Sequence, residues 1–218
     1  MTIEPAWDDR LAGGVLAEDI YKALMEARSQ AFDEFDAHVV ASILAISFGE
    51  AVAEARPLSC AAGLPHEKLS ALIEQAFPNT ALLRLSPGGG DVERSADEAC
   101  LLDLLERCTT AGAGFQALLA AMIARRAQRP NHLWQDLGLR SRCDLSELMS
   151  RHFSPLARRN SQDMKWKKFL YRMICADASF ALCTAPSCRE CDDFDHCFGE
   201  EGGESLLARN RRNADAGR

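Results

Sequence analysis

The chain has 218 residues, with 25 lysine and arginine residues against 32 aspartate and glutamate residues, so its formal net charge is −7 at pH 7. This acidic balance argues against a nucleic-acid partner, because binding to a phosphate backbone requires a clearly basic surface. The length allows one domain, or at most two, with a hydrophobic core of good size.

The sequence also bears on where the protein resides. The first ten residues contain no basic segment followed by an apolar core, so we expect no secretion signal. The longest uncharged stretch, Cys108–Ala124, contains polar residues and glycines and falls short of a membrane-spanning run. We therefore expect a cytoplasmic protein without membrane attachment. Five of the nine cysteines stand singly and are predicted to be mostly core thiols: Cys60, Cys100, Cys108, Cys143 and Cys175.

Apolar residues recur at helical spacing along most of the chain, and no segment has convincing strand character. Local signals mark several helix starts, among them Pro65 and the capping pair of Ser95 and Glu98. Helices are predicted at about residues 15–32, 38–55, 65–77, 95–108, 115–126, 144–149 and 164–180.

These elements predict an all-α fold, organised as a single helical domain over residues 1–180. An irregular cysteine-rich metal-binding loop, residues 181–199, is expected to pack on this domain. The run Ser86–Asp91, with three consecutive glycines, is predicted to be a turn or short linker. Residues 200–218 contain paired glycines, small polar residues and arginines, which predicts a disordered tail.

Four cysteines in the predicted loop form a C-x4-C-x2-C-x5-C run: Cys183, Cys188, Cys191 and Cys197. Thiolates are soft ligands that select zinc, copper(I) and iron–sulfur units, and these short gaps let one loop place four sulfurs around one centre. Structural zinc sites usually join two cysteine pairs from separate segments, whereas iron–sulfur proteins place several ligands along one loop. The spacing therefore favours an iron–sulfur type site. Zinc, disulfides and free thiols remain as alternatives.

Short strings between residues 132 and 199 carry a further signal. The most distinctive are His-Leu-Trp-Gln-Asp-Leu-Gly-Leu at 132–139, Met-Lys-Trp-Lys-Lys-Phe at 164–169, and the cysteine run that ends in Cys-Phe-Gly at 197–199. Between them lie His152-Phe153, Pro155-Leu-Ala157, Asn160, Tyr171-Arg172 and Cys175. Together these strings resemble the NifQ family, which handles molybdenum in bacterial nitrogen fixation.

The resemblance implies an iron–sulfur protein that carries molybdenum in a mixed Mo–Fe–S cluster, with molybdate as the source of the metal. It also implies that the protein donates molybdenum to the proteins that assemble the iron–molybdenum cofactor of nitrogenase. The four-cysteine pattern is intact, so Cys183, Cys188, Cys191 and Cys197 are the predicted ligands.

Accessory roles are predicted for residues near these strings. His196 lies inside the loop, where it can donate to a sulfur, bind a metal or face solvent. His132, His152 and Cys175 are further candidates, although a hydrogen-bonded packing histidine and a core thiol are the more ordinary interpretations.

The charge pattern near the loop suggests how an anion reaches it. Residues 158–172 contain six basic side chains against one acidic one, whereas residues 189–201 are mostly acidic. We hypothesise that Lys165, Lys168 and Arg172 guide molybdate, because the acidic neighbours of the cysteines repel a dianion. The alternative is a solvated helix face that pairs with the acidic loop.

The sequence contains no nucleophile–base pair, no glycine-rich phosphate loop and no H-E-x-x-H pattern, so we do not expect an enzyme. The predicted function is a metal-cluster carrier. Two alternatives from other classes stay open, namely an iron–sulfur electron-transfer protein and a zinc-stapled interaction module.

Overall fold

The structure, a computed structural model, describes residues 17–82, 89, 91–112, 114–177 and 202–216. Within these ranges the regular structure is helical and there is no strand. The predicted all-α fold is confirmed for this part of the chain. The predicted cysteine-rich loop, residues 181–199, lies outside the described residues.

The described residues form two compact units. The division falls between Asp91 and Val92, directly after the predicted linker, and again between Ser205 and Leu206. The first unit therefore contains the described residues up to Asp91 together with 206–216, and the second unit contains those of 92–205. The predicted boundaries at 180 and 199 lie where the chain is not described and stay predictions.

The first unit contains five helices among its described residues: α1 (Ala17–Glu26), α2 (Glu34–Ala53), α3 (Leu58–Ala62), α4 (His66–Ala76) and α11 (Leu206–Ala216). Helix α2 begins after Asp33, whose carboxylate accepts a hydrogen bond from Asp36 N at 3.0 Å. Helix α11 packs on α1 and α2, and its Leu207 is buried. The structure differs here from the predicted disordered tail, because packing on α1 stabilises a helix that its polar composition does not favour.

Helix α2 is long and apolar enough to span a membrane by length and composition alone. However, 72% of that apolar window is buried inside the protein. A core helix of a globular domain has the same properties, so this helix gives only weak evidence for a membrane span.

The second unit contains six further helices among its described residues: α5 (Ala96–Arg107), α6 (Gly114–Ala127), α7 (Leu133–Asp136), α8 (Arg142–His152), α9 (Ser154–Arg159) and α10 (Trp166–Asp177). The predicted cap of α5 is present, since Ser95 Oγ accepts from Glu98 N at 3.1 Å. Helices α5 and α6 pack against each other, and α10 packs on α5. Helix α7 contacts both α6 and α8.

Helix α10 begins at Trp166, two residues later than predicted. The reason is a loop that Asn160 closes with its side-chain amide. Asn160 Nδ2 donates to Met164 O and Asn160 Oδ1 accepts from Met164 N, both at 2.9 Å. Asp163, inside this loop, has a left-handed φ of 54°. These bonds fix Met164 in a conformation that precedes the helix.

The prediction that the single cysteines are mostly core thiols is wrong for two of them. Cys100 and Cys143 are exposed, and Cys60 and Cys108 are partly exposed. Cys100 and Cys143 lie on the outer faces of amphipathic helices, where a small apolar side chain costs little. The side chain of Cys175 lies outside the described part of the chain.

Candidate metal centre

The four predicted ligands, Cys183, Cys188, Cys191 and Cys197, and the accessory residue His196 lie outside the described residues. Their role as ligands stays a prediction. Among the residues that are described, no group of three or more His, Cys, Asp or Glu side chains is arranged to hold a metal. The geometry that bears on the site is therefore that of the chain on either side of residues 178–201, which we call the cysteine segment.

Both flanks of the cysteine segment meet the short helix α7. This helix has only four residues, yet both of its ends are closed by hydrogen bonds. At its start, the backbone N–H of His132 donates to Gln135 Oε1 at 3.3 Å. At its end, Gly138 adopts a left-handed φ of 71° and the N–H of Leu139 donates to Trp134 O at 2.9 Å. This is a Schellman ending, which satisfies carbonyl groups that a helix end leaves free.

The last residue of α7, Asp136, has a fully buried carboxylate with two partners. Its Oδ1 accepts from Asn131 Nδ2 at 3.0 Å, and its Oδ2 forms an ion pair with Lys167 Nζ of α10. Lys167 also donates to the carbonyl oxygen of Arg129. The buried guanidinium of Arg126 donates from Nε to the backbone oxygen of Asp136 at 2.7 Å. A buried charge needs such pairing, so these bonds fix α7 to α6 and α10.

The preceding residue, Gln135, contacts the chain beyond the cysteine segment. Its side chain is buried, and Nε2 donates to the backbone oxygen of Glu204 at 3.0 Å. Gly203 passes so close to this amide that a Cβ at Gly203 would lie 2.7 Å from Gln135 Nε2. Adjacent residues of α7 thus contact both flanks: Asp136 through Lys167, and Gln135 through Glu204.

The basic residues proposed to guide an anion lie at and near α10. Lys168 and Arg172, one turn apart on this helix, are exposed, and Lys165 just before it is partly buried. The predicted polar face of this helix is therefore present at Lys168 and Arg172. Lys167 belongs to the same basic stretch of sequence, but it faces inward to Asp136. Whether the exposed residues bind molybdate stays a prediction.

The two accessory histidines occupy separate structural positions. His132 precedes α7 and is partly buried, and its backbone caps that helix. His152 ends α8 with a buried ring that lies edge-on to Phe115, with ring centroids 5.5 Å apart. Its carbonyl accepts a hydrogen bond from Thr110 N at 2.8 Å. These contacts agree with the interpretation of His152 as a packing residue. A ligand role for either histidine stays a prediction.

A second buried carboxylate, Glu98 of α5, is a feature that the sequence does not reveal. Its side chain is 2% exposed, and Oε1 lies 3.1 Å from Arg125 Nε and 3.5 Å from Arg94 Nε. Burial raises the pKa of Glu98 above its ordinary value of 4.5, although the positive charges of the two arginines act in the opposite direction. In the sequence Glu98 has an evident role as a capping residue, so its burial is visible only in the folded chain.

Tyr171 of α10 lies near this carboxylate. Burial raises the pKa of its hydroxyl above 10.0, and the negative charges of Asp97 and Glu98 act in the same direction. A hydrogen bond with Gln128 opposes the shift. Lys167 and Tyr171 lie four residues apart on α10. Lys167 contacts Asp136 of α7, whereas Tyr171 lies near Gln128 and Glu98.

Comparison with known proteins assigns the chain to a protein family. The NifQ family model matches residues 39–199, which is most of the sequence and includes all four cysteines of the predicted metal site. This chain belongs to the NifQ family. The matched range also includes α7 and α10, and it ends before Gly203 and Glu204.

Individual NifQ proteins support the assignment. A protein NifQ homolog of Sinorhizobium fredii is 40% identical over 174 residues, covering 79% of this chain and 75% of that protein. Protein NifQ of Rhodobacter capsulatus is 39% identical over 169 residues, covering 76% of this chain and 91% of that protein. Protein NifQ of Azotobacter vinelandii is 41% identical over 83 residues, covering 38% of this chain and 43% of that protein. No solved structure matches the chain.

Membership of the NifQ family gives the protein a role connected with nitrogen fixation. It also confirms the family resemblance that the strings around residues 132–199 indicate.

Proposed function

We propose that the protein carries molybdenum in a mixed Mo–Fe–S cluster and donates it during assembly of the iron–molybdenum cofactor of nitrogenase. Its partners are then the cofactor-assembly proteins, and molybdate is the source of the cargo metal. The observation that carries this proposal is the intact C-x4-C-x2-C-x5-C run within the range matched by the NifQ family. A carrier role requires no catalytic residues.

The chemistry of four cysteines suits this role. The thiolate, rather than the thiol, binds metal, so Cys183, Cys188, Cys191 and Cys197 together bring four negative charges. Iron and molybdenum offset these charges, and metal binding is therefore coupled to folding of the cysteine segment and to release of protons. A cytoplasmic location is part of the proposal, because thiolates stay reduced there.

The decisive experiment is metal analysis of the protein purified without oxygen. We expect iron, acid-labile sulfide and molybdenum in the same preparation, with the visible absorption of an iron–sulfur cluster. Iron and sulfide without molybdenum, even after incubation with molybdate, would favour an electron-transfer protein. Zinc alone would favour a zinc-stapled interaction module. Either result would overturn the carrier role.

Cysteine variants test the ligand assignment. Cys188→Ser and Cys191→Ser should each abolish or strongly reduce cluster absorption and metal content. Cys100→Ser and Cys143→Ser are matched controls, because both thiols are exposed and lie outside the cysteine run. The assignment fails if the two groups of variants retain the same amount of metal.

A further inference from the structure

We propose that Gln135 and Asp136 are positioning residues, which hold the two flanks of the cysteine segment on α7 and so preorganise its thiolates for metal. We call Gln135, Asp136 and their partners Lys167 and Glu204 the α7 anchor. This inference rests on the proposed function, because it concerns the same cysteines. It assigns a task to residues that do not bind metal themselves.

The flank before the cysteine segment is fixed through α10. Lys167, in the first turn of this helix, forms an ion pair with the buried carboxylate of Asp136 and donates to Arg129 O. Asp136 is itself held by Asn131 and, through its backbone oxygen, by the buried Arg126. Helix α10 therefore starts from a fixed point and runs to Asp177, six residues before Cys183.

The flank after the cysteine segment is fixed through one side-chain amide. Gln135 Oε1 accepts from the N–H of His132, and this bond orients the amide so that Nε2 points to Glu204 O. Gly203 has a φ of 135°, in the region that favours glycine, and its missing side chain allows the close approach to Gln135. The sequence places this contact 69 residues after Gln135, so only the fold creates it.

Holding both flanks changes the cost of metal binding. When four thiolates surround one metal centre, the chain between them closes a loop and loses conformational entropy. If the two ends of that chain are free, this whole loss occurs when the metal binds. If the chain before and after the segment is already tied to α7, at Lys167 and at Glu204, part of that loss is already incurred in the folded metal-free protein. Preorganisation of this kind raises affinity without adding a ligand. The α7 anchor should therefore contribute to metal affinity in addition to its contribution to the stability of the metal-free protein.

The glycine pair 202 and 203 provides a sharp test. Gly203→Ala places a Cβ against Gln135 Nε2 and strains the backbone, whereas a Cβ at Gly202 would meet no atom within 4 Å. Both variants and the unaltered protein are prepared without metal in the absence of oxygen and titrated with cobalt(II), whose thiolate absorption reports tetrathiolate binding. The release of a single neutral hydrogen bond corresponds to a loss of about two- to tenfold in affinity.

We expect Gly203→Ala to lose cobalt affinity by that factor and Gly202→Ala to bind like the unaltered protein. The thermal midpoint of the metal-free protein should stay unchanged in Gly202→Ala and fall by no more than about 2–4 °C in Gly203→Ala, as the loss of one hydrogen bond implies. Equal cobalt affinity in the two variants would overturn the α7 anchor while leaving the proposed function intact. Absence of thiolate–cobalt absorption in the unaltered protein would also overturn the α7 anchor, whereas the proposed function stands or falls on the iron, sulfide and molybdenum content described above.

A double-mutant cycle with Gln135→Ala checks that the glycine acts through the amide. If Gly203→Ala weakens binding by displacing the Gln135–Glu204 contact, the loss of cobalt affinity in the double variant should be smaller than the sum of the two single losses. Additive losses would show that the two changes act separately and would overturn the inference. Circular dichroism of each metal-free variant verifies that the helices are retained.

Discussion

Lys167 of α10 forms an ion pair with Asp136 of α7, 31 residues earlier in the chain. The carboxylate of Asp136 is 1% exposed and the side chain of Lys167 is 18% exposed. Because the acid is removed from water, it depends on the lysine for compensation. This pair joins two of the strings on which the family resemblance rests, 132–139 and 164–169, and so links them within the second unit.

Replacement of Lys167 by methionine should destabilise the protein by about 2–3 kcal/mol, because it leaves a buried carboxylate without its charge partner. The loss is smaller than for a fully buried pair because the side chain of Lys167 is 18% exposed. Methionine retains most of the apolar stem, so lost packing contributes little. The measurement is chemical denaturation of the metal-free protein. Lys168→Met is the matched control, since Lys168 is exposed on the same helix, and should change stability by less than about 0.5 kcal/mol. Equal effects of the two substitutions would contradict the assigned importance of the ion pair.

Glu98 should make stability depend on pH in a definite direction. Burial raises its pKa above 4.5, so the folded protein keeps a proton at pH values where the unfolded chain has released it. This group therefore favours the folded state most below about pH 4.5, and its contribution falls as pH rises from there through the raised pKa.

Glu98→Gln removes this titration. We expect the free energy of unfolding of the unaltered protein, minus that of the variant, to decrease between pH 4.5 and pH 7. Denaturation curves of both proteins across this range supply the difference. Should it increase with pH instead, the attraction of Arg94 and Arg125 for the ionised carboxylate would outweigh the cost of burial.

Gly138 should resist substitution because it ends α7 in the left-handed region, with a φ of 71°. Alanine there costs about 1–2 kcal/mol, and it weakens the turn that closes the helix after Asp136. Gly49→Ala is the contrasting variant, because this glycine lies inside α2 and a Cβ there meets no atom within 4 Å. It should stabilise the protein by about 0.5–1 kcal/mol. Thermal melts of both variants give the comparison. If Gly138→Ala were as stable as the unaltered protein, this result would contradict the structure of the turn.

Helices with local signals could be predicted from the sequence. Ser95 and Glu98 mark the start of α5, and Pro65 directly precedes α4, because caps and prolines act within a few residues. The short α7 could not be predicted, since four residues display no periodicity. Its ends are set by the bond from His132 to Gln135 and by Gly138, and its position is fixed by the distant Lys167.

In the candidate site, too, some features could be predicted from the sequence and others could not. The cysteine run is visible from its spacing, and its role as a ligand set stays a prediction, because these cysteines lie outside the described residues. The inward direction of Lys167 could not be found, since an inward and an outward lysine look alike in a basic helix. The contact of Gln135 with Glu204 joins residues 69 positions apart and depends on the complete fold of the second unit.

The basic residues at and near α10 lead to a final prediction, on molybdenum loading. If Lys165, Lys168 and Arg172 guide molybdate, changing all three to glutamine should slow loading at least about twofold at low salt. The iron content should stay unchanged, and the difference should shrink at high salt, because screening weakens long-range attraction.

A charge-matched control separates a local field from net charge. Lys68, Arg107 and Arg151 are exposed and lie on other helices, and their replacement by glutamine removes the same three positive charges. Once iron has been incorporated into both proteins, the control variant should take up molybdenum at the same rate as the unaltered protein. Unchanged loading in the α10 variant, with an intact iron cluster, would leave these residues as a solvated helix face. Equal slowing in both variants would show that the protein's overall charge, rather than this face, governs the approach of the anion.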